Sequence, residues 1–114
     1  MKAYTDITQS KKLAEILSPE NADMCYPYNR HLNEMYGDIP YVMGYKKFNK
    51  DTDIPCWSLA ALLDVIKDYT LQTNTDGSVF VVCEGKKPII SDFYNNPVDA
   101  CVEIIVKLKE LNLI

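Results

Sequence analysis

Glycine is scarce and histidine nearly absent: 114 residues contain four glycines and a single histidine, His31. The glycines are scattered, so neither G-x-G-x-x-G nor G-x-x-x-x-G-K-S/T occurs, which excludes the familiar phosphate-cradling loops. There is no G-x-S-x-G either, and His31 would be the only base available to a serine triad. The four cysteines, Cys25, Cys56, Cys83 and Cys101, lie far apart without a C-x-x-C pair, so the clustered ligands of a zinc site are missing. No metal and no cofactor is expected. Apolar runs fall short of the roughly 18–20 residues that span a bilayer. Residues Met1 to Asp6 turn polar at once, leaving no apolar core for a secretion signal. The expectation is a cytoplasmic protein, away from membranes, whose cysteines stay reduced.

Positive charge is also short. The net charge of −4 opposes unaided binding to a phosphate backbone, which needs several Lys or Arg contacts. The one local basic cluster, Lys46, Lys47 and Lys50 with Tyr45 and Phe48 alongside, stands beside Asp51 and Asp53 and reads as a solvated loop. The carboxylates Asp51, Asp53, Asp64 and Asp68 are likewise expected in water.

What is present is the makeup of one ordinary folded domain over residues 1–114: 47% hydrophobic and 25% charged residues without a compositional break. The C-terminal stretch organises it. Asn96-Pro97-Val98-Asp99 supplies a cap, a proline at the first helical position and an acid facing the positive end of the helix dipole. From Val98 to Leu111, the residues Val98, Cys101, Val102, Ile104, Ile105, Val106 and Leu108 make an apolar face so broad that more than one neighbour must cover it. Asp6 to Gln9 has the form of a capping box opening a helix over residues 7–17, which Pro19 stops. Ser58 caps another over 59–67, with Leu59, Leu62, Leu63, Val65 and Ile66 inward and Trp57 packing back as a staple.

Strands alternate with these helices. Residues 22–28 and 39–48 read as an irregular antiparallel pair around a long loop, with Pro40 at a strand start or an edge. Tyr69, Leu71 and Thr73 alternate with polar residues, Asp76-Gly77 makes a turn, and Val79 to Cys83 is apolar on both faces, as for an inner strand covered above and below. Residues 89–94 complete a meander. The predicted fold is α+β: an antiparallel sheet of three to five strands with three helices packed against it.

Two sets of residues carry functional interest. Tyr26, Tyr28, Tyr36, Tyr41 and Tyr45 crowd one segment together with Arg30, His31 and Met35. Tyrosine, arginine and methionine are enriched at protein interfaces, so Tyr26, Tyr28, Arg30, His31 and Tyr36 are candidate partner-binding residues. The competing reading is that the same rings close the core beneath a long loop. Cys56 precedes a helix N-terminus, where the dipole can lower a thiol pKa, so a Cys56–His31 nucleophile and base, or a small-ligand site, is the alternative. The leading expectation is a non-enzymatic interaction or regulatory domain with a protein partner, and a homodimer is compatible with it.

Three stretches, Thr5 to Leu13, Ile54 to Leu63 and Asn96 to Glu103, resemble a group of small uncharacterised proteins from gut Bacteroides-type bacteria, often encoded by prophages or other mobile elements. The resemblance covers both ends and the middle helix and leaves residues 18 to 53 unmatched. It implies a bacterial cytosolic setting and a compact α+β domain. It transfers no activity, cofactor or catalytic residue.

Overall fold

The computed structural model describes residues 2–26, 39–42 and 53–114. Each described helix begins where the sequence places a cap. In α1 (Ile7–Ala14) the Asp6 carboxylate accepts from Gln9 N–H and the Gln9 side chain accepts from Asp6 N–H, which is the predicted capping box. The helix closes three residues earlier than expected. Glu15 and Ile16 N–H bond to Lys12 and Leu13 carbonyls three residues back, so the last turn tightens, although Leu17 stays buried. Helix α2 (Leu59–Ile66) is capped by Ser58, whose Oγ accepts from Ala61 N–H at 3.2 Å. Asp23 braces that cap, accepting from Ser58 N–H and from its hydroxyl. An acid here also meets the helix dipole favourably. Helix α3 (Pro97–Glu110) has Asn96 as cap and Pro97 in its first turn, as predicted.

The strands form two antiparallel sheets of three, where a single sheet was expected. In the first, β1 (Met24–Tyr26) lies between β2 (Tyr41–Val42) and β3 (Ile54–Cys56). The β1–β2 pair, with Met24 opposite Val42, is the anticipated irregular pair, and Pro40 directly precedes the edge strand β2. Strand β3 is the unforeseen member. Pro55 sits opposite Cys25, and a proline is tolerated there because β3 is an edge among the described strands. A single bridge from Tyr4 to Ser58 continues this layer, with Thr5 N–H bonded to Trp57 O and Leu59 N–H to Ala3 O.

The second sheet is the predicted meander: β4 (Tyr69–Thr73), β5 (Val79–Cys83) and β6 (Ile89–Ile90). Gly77 takes φ 88° in the β4–β5 turn, the conformation for which glycine is suited. Strand β5 is central as expected, but it is fully covered on one face only. Val81 and Cys83 are buried toward α3, whereas Phe80 and Val82 on the opposite face are half-exposed. Phe80 packs there against Phe93, ring centroids 5.3 Å apart.

One apolar core joins the layers. Leu13 from α1, Trp57, Leu62 from α2, Val81 from β5 and Val98, Ile104 and Ile105 from α3 are fully buried in it. The broad apolar face of α3 is covered by α2, β5, β6 and α1 together. No described helix is long and apolar enough to cross a membrane.

Candidate functional site

Thr5 lies at the centre of a buried polar knot beneath the first sheet. Its carbonyl accepts from the Tyr26 hydroxyl at 2.7 Å and from the Cys56 thiol at 3.4 Å. Its own hydroxyl shares a hydrogen with Ser10 Oγ at 2.8 Å and accepts from Trp57 N–H at 3.1 Å. Thr5, Ser10, Cys56 and Trp57 are fully buried and Tyr26 is 4% exposed. The local causes are plain: α1 places Ser10 one turn inside its N-terminus, and β1 and β3 align Tyr26 and Cys56 on the same layer. Trp57 Nε1, fully buried, has no hydrogen-bond partner among the described residues.

Two residues of interest therefore meet here. Tyr26, a candidate for partner binding, turns its hydroxyl inward and presents little surface. The Cys56 thiol pKa is raised, where the position before a helix start had suggested lowering. Burial is the main cause and opposes the thiolate, while the hydroxyls of Thr5, Tyr26 and Ser10 offset it only in part. Burial alone pushes the Cys101 thiol up to about 12. Cys83 is raised as well, and all four cysteines are buried. Tyr28, Arg30, His31, Tyr36, Lys46, Lys47, Lys50 and Asp51 lie outside the described residues. Asp53, expected in solvent, is only 6% exposed. Among the described residues no three His, Cys, Asp or Glu side chains are grouped to hold a metal ion.

A second polar network ties the chain's beginning to α3. Asp99 accepts from Lys2 Nζ at 2.8 Å, Gln9 Nε2 at 2.7 Å and Asn96 Nδ2 at 2.8 Å. Partial burial would raise its pKa, but these donors and the Lys2 charge outweigh it and hold the carboxyl below the usual aspartate range. Glu103 accepts from the Tyr94 hydroxyl at 2.8 Å and pairs with Lys107 at 3.1 Å. The Tyr94 phenol is pushed up to about 12, by burial first and by that carboxylate second. Both networks are clasps between elements.

A large open concavity lies at the opposite end of α3. A groove of about 940 Å³ runs between the C-terminal turns of α2 and α3 and the β5–β6 turn. Val65, Ile66, Ile89 and Leu108 line it, and Leu111 and Leu113 form a wall that is 58% and 62% exposed. Lys67, Lys86 and Lys87 stand on its rim with Asp68 and Glu84. Lys67 is held at φ 70°, ψ −78°, and Asp68 N–H bonds to Ile66 O at 3.0 Å. This is the γ-turn of the sterically costly hand, and strain of this kind persists only where surrounding structure enforces it. Sequence reading missed the groove. The signals were a run of large apolar residues beyond the helix end, Leu111, Leu113 and Ile114, and the paired lysines of the β5–β6 turn. Comparison of the chain with protein-family models, with curated proteins and with solved structures finds no match.

Proposed function

We propose that this protein is a small non-enzymatic interaction domain that docks a protein partner in the groove at the C-terminal ends of α2 and α3. The carrying observation is the wall of Leu111 and Leu113, large apolar side chains more than half exposed beside buried Ile66 and Leu108. Leaving such area in water forgoes about 25 cal/mol per Å² of burial, and apolar patches with polar rims mark contact sites. The three rim lysines against two acids define the occupant: a segment of a protein partner with apolar anchors and flanking Asp or Glu. The inward-turned hydroxyls and buried thiols support the non-enzymatic part of the reading. A regulatory role in a bacterial cytosol, encoded by a mobile element, accords with the resemblance of the helix entrances.

A library of random twelve-residue peptides selected against the purified protein tests this. Enriched binders should carry apolar anchors beside acidic residues and lose about tenfold or more in affinity on Leu113→Asp or on joint Lys86→Glu and Lys87→Glu substitution. The same peptides should bind undiminished after Tyr28→Ala and Tyr36→Ala, which probe the tyrosine-rich segment. Binders indifferent to the groove substitutions, or dependent on the tyrosines, would refute it.

A further inference from the structure

We infer that β4 is a self-complementary edge through which two copies of this chain pair about a twofold axis at Leu71, joining their meanders into one six-stranded sheet. Strand β4 is the longest edge strand described, five residues against two in β2 and β6 and three in β3. Its free side is set by the ladder to β5. Asp68 O accepts from Glu84 N–H at 3.0 Å and Asn74 N–H donates to Ser78 O at 2.7 Å. These pairs continue the register of Thr70 opposite Val82 and Gln72 opposite Phe80. In an antiparallel ladder, hydrogen-bonded and non-bonded pairs alternate. The N–H and C=O groups of Tyr69, Leu71 and Thr73 therefore point away from β5, to the edge that no other described strand pairs with.

An antiparallel mate centred on Leu71 satisfies all of these groups at once: Leu71 pairs with Leu71 and Tyr69 with Thr73. Charge selects the same register. The strand carries no ionisable side chain other than the Tyr69 phenol, and Asp68 falls opposite Asn74. Displacing the mate by two residues toward the turn sets Asp68 against Asp76 and leaves Thr73 without Tyr69 opposite it. The usual devices that blunt an edge, lysine, proline or a bulge, are absent from it.

The side chains agree with the backbone. Tyr69 and Leu71 lie opposite Cys83 and Val81, on the face of the sheet that α3 covers at β5. Yet Tyr69 remains 41% and Leu71 38% exposed, because the helical layer stops short of β4. Across the proposed axis Leu71 meets its own copy and Tyr69 meets Thr73 of the second copy, under a continuous sheet and between the two α3 helices. The contact is isologous and closes on itself, so it yields dimers and no filament.

Sedimentation of the full chain over a concentration series tests the inference. A reversible dimer, at twice the 13.0 kDa monomer mass, is expected. Leu71→Pro removes the N–H on the axis without touching the β5 ladder, and should weaken the dimer about thirtyfold or more while circular dichroism stays unchanged. Leu71→Cys provides an independent reading of register. Paired residues on the axis sit about 5.5 Å apart between Cα atoms, within reach of a disulfide. Mild oxidation should then give a covalent dimer. Tyr69→Cys should not, because its two copies lie about 13 Å apart along the strands. A chain monomeric at every concentration, or cross-linking as ready at Tyr69 as at Leu71, would overturn it. Leu113→Asp should leave the dimer intact, so loss of groove binding and loss of pairing are separable.

Discussion

The knot around Thr5 and the groove beside Leu113 are opposites in how they treat their functional groups. In the knot, hydroxyls, a thiol and a carbonyl are removed from water and bonded to one another. In the groove, apolar side chains that could have been buried are left in water. The lesson is that side-chain chemistry is a poor guide to function until burial is known. Tyr26 and Cys56 look reactive or adhesive as letters, and both serve cohesion.

Substitution at the two centres separates them most directly. Thr5→Val keeps the shape of the side chain but strands the Trp57 N–H and the Ser10 hydroxyl in the interior, so a loss of roughly 1–3 kcal/mol is expected. Leu113→Ser at the groove should change stability by less than about 0.5 kcal/mol. Denaturant unfolding of both variants checks this, and equal losses would erase the distinction.

A smaller effect is expected at Asp99. Asp99 has a folded-state pKa below its unfolded value, so its stabilising contribution is present above the unfolded pKa of about 3.9 and is lost as pH falls through the folded one. Glu103 is shifted in the same direction: burial would raise its pKa, but its bonds to Tyr94 and Lys107 outweigh that. Asp99→Asn should flatten the acid side of the stability profile while costing less than about 1 kcal/mol at neutral pH, since the ion pair is partly solvated. An unchanged acid profile would show that the clasp contributes nothing.

Local signals in the sequence carry much of this fold. Asp6, Ser58 and Asn96 cap their helices as written, and Asp76-Gly77 turns β4 into β5. Each depends on a few neighbouring residues. The division into two sheets does not, because β1 and β3 are brought together from about thirty residues apart and their pairing leaves no local period. Strand β3 was hidden further by Pro55, which local rules assign to a helix entrance. The candidate site was less legible still. Burial of Tyr26 and Cys56 depends on Thr5, far away in the chain, and the groove exists only because three element ends converge.

Among the described residues, the buried hydroxyls and thiols are bonded or packed within the fold, away from water. Counting reactive thiols with a soluble disulfide reagent, native and then unfolded, tests this at its weakest point. No rapid reaction is expected in the native protein at neutral pH, and all four cysteines should react on unfolding. Rapid native labelling at Cys56, growing as pH rises from 6 to 8 as a thiolate titrates, would contradict it.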